Sequence, residues 1–163
     1  MMIENNQTEI ASENGLLPFE LLALDPTRTI CEKIMSLVRF SYGKDPITNL
    51  KNKVRHTYDL HKLLAQPSYI EFVQSDRFDE MLLKVAKDDI ASFKNNNEWL
   101  GNHPGDSLMF KDVEAIWKEL AIVYSSDFKP LVYKNFPKET EILASLLIIQ
   151  ERLKTIDWSI VIS

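Results

Sequence analysis

The chain has 163 residues, 45% hydrophobic and 26% charged, with 19 Lys and Arg against 24 Asp and Glu for a net charge of −5. That length buries a core without disulfides or metals, and the acidic balance argues against nonspecific nucleic-acid binding. The single Cys31 excludes an internal disulfide, no charged segment leading into an apolar one opens the chain, and the longest nearly apolar run, Ile142 to Ile149, is far too short to span a bilayer, so a cytoplasmic location is expected.

Residues 1–15 are polar and lack periodicity, which predicts a flexible arm, and residues 16–163 are expected to form a single helical domain. Leu16 to Leu24 is a short apolar run interrupted by Pro18, better suited to an edge strand than to a helix interior. Asp25-Pro26 is a helix start, an N-cap carboxylate followed by Pro at the first helical position, and the helix is predicted to run to about Tyr42, before Gly43. Ile30, Ile34, Leu37 and Val38 form its apolar stripe, with Lys33 at the stripe's edge. Asp45-Pro46 repeats the start signal. Ile47, Leu50, Val54, Tyr58 and His61 then recur at spacings of three or four, predicting one second helix from Pro46 to Leu64 with Asn52, Arg55, His56, Asp59 and Lys62 on its flank.

Further along, Tyr69 to Val73 suits one helical turn and Asp76 to Phe93 a third long helix with Phe78, Leu82 and Val85 inward. Lys94 to Asp106, with its Asn, Gly and Pro residues, reads as a loop. A fourth helix is expected from Ser107 or Phe110 to Tyr124. Ser125 to Pro137 is a connector whose Phe128, Leu131, Val132, Tyr133 and Phe136 suit a buried cover, and a fifth helix runs from Lys138 to about Thr155. The fold class is therefore mainly α, a bundle of about five longer helices with one possible short N-terminal edge strand.

Charge is distributed unevenly. Pro26 to Leu64 holds eight basic residues against three acidic ones, a net of +5, and leaves −10 for the remainder. Such a block suits a phosphate or RNA site, and equally a solvated helix face. Within it Lys33 and Asp59 are the sharpest pair: an ammonium beside an apolar stripe suits a phosphate, and a nearby carboxylate can orient a nucleophile, while a plain interhelical salt bridge explains the same spacing. Arg55 and His61, with five residues between them, resemble the catalytic signature of the all-helical HEPN ribonucleases, which implies a His general base, an Arg stabilising the phosphorane and no metal. The acidic pairs Asp88-Asp89, Asp76 with Asp79, and Glu139 with Glu141 are explained by helix ends and polar faces. The three histidines lack zinc spacing, and with only four glycines there is no phosphate cradle. Trp99, Trp117, Trp158 and Cys31 read as packing residues.

The phrases RTICEKIMSLVRFSY (Arg28 to Tyr42) and VRHTYDLHKLL (Val54 to Leu64) resemble the carboxyl-terminal half of the AbiEii/AbiGii nucleotidyltransferases, toxins of type IV toxin-antitoxin and abortive-infection systems. There an Arg-Thr-x-x-Glu-Lys helix precedes an Arg-His-x-Tyr-Asp-Leu helix. The resemblance implies transfer of a nucleotide from an NTP, with Mg²⁺, to an RNA acceptor such as tRNA. It places the family's phosphate-contacting Lys on Lys33 and its later active-site Asp on Asp59, with Arg55 and His56 as supporting substrate-binding residues. The family's Gly-Ser turn and Asp-x-Asp pair are missing from this sequence, so no metal ligands are expected within the chain. It is expected to be a truncated or split carboxyl-terminal portion, inactive without an amino-terminal metal-binding half, the Leu16 to Leu24 run being the last strand of that half's sheet. A noncatalytic module that binds an antitoxin or partner half is the remaining alternative.

Overall fold

The computed structural model describes residues 24–92, 96–133 and 135–160, all of them helical or irregular, so the N-terminal arm and the expected Leu16 to Leu24 strand, apart from Leu24 itself, fall outside the described residues. Among the described residues eight α-helices follow in chain order: α1 Pro26–Phe40, α2 Pro46–Lys51, α3 Val54–Leu64, α4 Pro67–Val73, α5 Asp76–Ser92, α6 Leu108–Lys111, α7 Val113–Val123 and α8 Glu139–Leu153. The mainly helical expectation holds.

α1 begins where the sequence places it. The Asp25 carboxylate accepts a hydrogen bond from the Thr27 backbone N–H at 2.9 Å, and Pro26 fills a position that needs no donor. Its stripe of Ile30, Ile34, Leu37 and Val38 is fully buried together with Cys31 and Met35, and the helix packs against α5 and α3. Full burial of one such aliphatic side chain contributes roughly 1.5–3 kcal/mol, so this stripe carries much of the reason for the helix to dock. Arg28 adds an ion pair to Asp88 of α5 at 2.9 Å.

Two predicted helices are broken, each with an identifiable cause. The expected Pro46 to Leu64 helix divides into α2 and α3, because Lys53 leaves helical geometry (φ −110°, ψ 11°) in a tight turn in which its N–H reaches Leu50 O at 2.9 Å. The bend is favoured by Lys53 Nζ resting 4.7 Å from the centre of the Phe40 ring, a cation–π contact with the end of α1. The expected fourth helix divides at Asp112, which extends (φ −145°, ψ 79°) and caps α7 by accepting from Ala115 N–H at 3.0 Å. Gln150 of α8 compensates the carbonyls released there, its Nε2 donating to Phe110 O at 2.9 Å and Lys111 O at 3.3 Å.

The segment expected to be a plain loop before α6 is tied into the fold. It contains 3₁₀ turns at Glu98–Gly101 and Pro104–Asp106, buries Trp99 and Leu100, and receives the Trp158 indole N–H on Leu100 O at 2.8 Å. Arg152, near the end of α8, clamps the α4–α5 junction: its Nε donates to Val73 O at 2.8 Å, and Nη2 pairs with Asp79.

Beyond α7 the chain widens into a π turn, Tyr124–Phe128, then tightens into a 3₁₀ turn, Lys129–Leu131. Phe128 and Tyr124 are buried, and Phe136 stacks on Tyr124 with ring centres 4.5 Å apart. Leu131 and Tyr133, expected in the same buried cover, are instead 78% and 88% exposed. Leu131 ends the 3₁₀ turn, and at Val132 the backbone is extended (φ −100°, ψ 119°), so Val132 and Tyr133 face opposite ways and Val132 packs on the core.

Candidate active site

Lys33 comes from the third turn of α1 and Asp59 from the middle of α3, and packing of those helices brings the two together. Lys33 Nζ donates to Asp59 Oδ2 at 2.7 Å, with the side chains only 20% and 22% exposed. Arg55, one turn before Asp59, holds its Nε 3.7 Å from the same oxygen and is itself 77% exposed. That separation is an electrostatic contact, beyond hydrogen-bond range. One carboxylate is thus flanked by two cations, one sheltered and one at the surface.

His56 lies beside this pair, three residues before Asp59 on α3. Its Nδ1 is buried and has no hydrogen-bond partner. Burial, followed by the nearby charges of Lys33 and Lys53, pushes the imidazole down to about 4 despite the opposing effect of Asp59. The ring is therefore neutral at physiological pH. A buried, unpartnered polar atom costs roughly 1–3 kcal/mol.

Arg55 and Asp59 also line a groove of about 510 Å³ between the start of α3 and the chain that follows α7. Its apolar surface comes from Val54, Tyr58, Phe128 and Val132, and Asp127 stands on the opposite side from α3. Tyr58 meets Phe128 edge to face at 5.3 Å between ring centres. Sequence reasoning named one wall of this groove and missed the other. The available signal was the aromatic and aliphatic content of the connector.

Arg55 and His61 do not converge. Six residues apart on α3, they project about 120° from one another, and His61 Nδ1 is hydrogen-bonded to Ser145 Oγ of α8 at 2.9 Å. Burial lowers the His61 pKa as well. His103 is structural, accepting from Gly105 N–H at 3.0 Å through Nδ1 and reaching Ile156 O at 3.1 Å through Nε2. Cys31 is buried and its thiol is pushed well up by desolvation, so it is no nucleophile. Among the acidic pairs, Asp79 is bound by Arg152, Asp88 by Arg28, and Glu141 accepts from Lys138 N–H at 2.7 Å at the start of α8.

Among the described residues no group of three or more His, Cys, Asp or Glu side chains is placed to hold a metal ion. Asp59 does not fit a divalent site as it stands, because its Oδ2 faces Lys33 and Arg55. No described helix is long and apolar enough to cross a membrane.

The family model described as nucleotidyl transferase AbiEii toxin, type IV TA system, matches residues 4–146. No curated protein and no solved structure matches the chain.

Proposed function

The chain belongs to the AbiEii family of nucleotidyl transferase toxins of type IV toxin-antitoxin systems, and from that footing we propose that the face built by Lys33, Arg55, His56 and Asp59 is the phosphate-facing wall of a nucleotidyl-transfer cleft. The reaction moves a nucleotide from an NTP to an RNA acceptor of the tRNA type. The observation that carries this reading is the Lys33–Asp59 contact at 2.7 Å, made between two helices at the rim of a groove. An ammonium held by a neighbouring carboxylate is aimed before substrate arrives and can exchange that partner for a phosphate oxygen.

In this reading Lys33 binds phosphate, Arg55 meets it from the solvent side, and Asp59 orients both cations. His56 stays neutral and contributes no charge of its own. The Mg²⁺ ions such a transfer uses are not assigned to the described residues, and the metal-binding carboxylates are proposed to come from a separate amino-terminal half. The helical unit is then the carboxyl-terminal portion of the enzyme and is inactive by itself. Membership in a toxin-antitoxin family implies an antitoxin partner.

The test is a transfer assay with Mg²⁺, each labelled NTP and tRNA. The chain alone is expected to transfer nothing, and addition of a polypeptide carrying the Gly-Ser and Asp-x-Asp elements is expected to restore labelling. Transfer by the chain alone sinks the requirement for a second half. Cleavage of the tRNA in EDTA without NTP sinks the transferase reading in favour of a ribonuclease.

A further inference from the structure

The wall accounts for Lys33 and Asp59 but leaves unexplained the phenol at the mouth of the groove beside them. We propose that Tyr133 is a second acceptor of the transferred nucleotide, a site of self-nucleotidylation through which the enzyme limits its own turnover. The inference rests on the phosphate-wall reading above and adds to it a regulatory use of the same cleft.

Tyr133 belongs to the lining of the groove that Arg55 and Asp59 also line. Its neighbour Val132 packs on the core, so the extended backbone turns Tyr133 the other way and leaves it 88% exposed. A nucleotidyl acceptor needs a hydroxyl that can approach the α-phosphorus of the NTP, and among the described residues of the lining only Tyr58 and Tyr133 carry one. Tyr58 is half-buried, its ring held edge to face on Phe128 at 5.3 Å. Tyr133 is the phenol that incoming phosphates can meet. Arg55 stands in the same lining with most of its side chain exposed and is joined through Asp59 to Lys33, so phosphates held by these cations border the groove at which the phenol stands.

The groove also supplies a proton acceptor. Asp59 is engaged by Lys33 and Arg55, whereas Asp127 is exposed, accepts from the Ser126 hydroxyl through Oδ1 at 2.5 Å and keeps further acceptor capacity. In the step, Tyr133 Oη attacks the α-phosphorus and the Oη–P bond forms. The bond from that phosphorus to the oxygen bridging to the β-phosphate breaks, pyrophosphate leaves with the electron pair, and the phenol proton passes to Asp127. The product is a tyrosyl phosphodiester. A hydroxyl tethered beside the cleft presents itself at an effective concentration of about millimolar, so it competes when the RNA acceptor is scarce. The attached nucleotide then fills the groove beside the wall, and the next NTP is kept out.

The experiment incubates the full chain, assembled with the Gly-Ser and Asp-x-Asp half, with Mg²⁺ and each NTP in the absence of RNA, and maps the peptides by mass spectrometry. The mass of a single nucleoside monophosphate is expected on Tyr133, and tRNA added afterwards should be labelled more slowly than by an assembly never exposed to NTP. Tyr133→Phe should remove both the added mass and the slowing while tRNA labelling itself persists. Tyr58→Phe should leave the modification in place. Asp127→Asn should lower self-modification by about 10²-fold and spare tRNA labelling, whereas Lys33→Ala should lower both reactions. Labelled tRNA with Tyr133 unmodified, or the nucleotide on another residue, overturns the self-acceptor and leaves the phosphate wall standing. Labelling of neither the chain nor tRNA overturns the wall, and this inference with it.

Discussion

At the scale of single residues, the proposed phosphate wall rests on a partly sheltered ion pair, Lys33–Asp59. A partly sheltered ion pair gains little over apolar residues of similar volume, whereas removing one partner strands the other. Asp59→Ala is therefore expected to destabilise by about 1–3 kcal/mol, and Lys33→Met with Asp59→Leu to recover most of that loss, as read by urea denaturation. A double variant as unstable as the sum of its singles would contradict this. His56 gives a pH signature with a definite sign. Unfolded, it titrates near its ordinary 6.5; folded, it is pushed down to about 4. Between those values the unfolded chain binds the proton first, so the stability His56 contributes is complete above 6.5 and is lost as pH falls toward 4. His61, also lowered, works in the same direction. The melting temperature is expected to fall from pH 7 to pH 5, and to fall less in His56→Gln; an identical fall in that variant would refute the assignment.

At the scale of elements, the sequence signals were strongest where local chemistry decides the outcome. Asp25-Pro26 and Asp45-Pro46 start α1 and α2 because a carboxylate accepts the orphan N–H groups and Pro has none to lose. The breaks at Lys53 and Asp112 were illegible because the apolar spacing resumes in phase on their far side. Asp112 itself caps α7, and each break is accompanied by a contact from elsewhere in the chain: the Phe40 ring under Lys53, and the Gln150 amide on the carbonyls of Phe110 and Lys111. Gln150→Leu keeps the volume and leaves those carbonyls without their donor, so it is expected to cost about 1–3 kcal/mol, measured as a lowered denaturation midpoint. A neutral result would mean that the α6–α7 break is set by Asp112 alone. The exposed Tyr133 makes the same point, since apolar composition indicates burial but an extended segment can present only alternate residues inward.

At the scale of the whole molecule, one helix-paired wall was readable and the groove was not. Lys33, Arg55, His56 and Asp59 sit in two phrases close in sequence, whereas Asp127, Phe128 and Val132 reach the site only because the chain after α7 packs over α3. Folding also redistributes the basic block. Arg28 goes to Asp88, Lys51 lies 3.7 Å from Glu119 and Lys33 goes to Asp59, so much of its positive charge is met by acidic groups from other elements. Arg55 keeps most of its surface in solvent at the groove. Under the proposed function, a local cationic feature on a chain of net charge −5 suits one nucleotide better than a broad hold on RNA. The most direct measurement is the nucleotide-transfer rate of Lys33→Ala in the assembly of this chain with a Gly-Ser and Asp-x-Asp half. A phosphate-binding wall predicts a loss of about 10²–10³-fold with the assembly intact, and a rate within a few fold of the unmodified chain would contradict it.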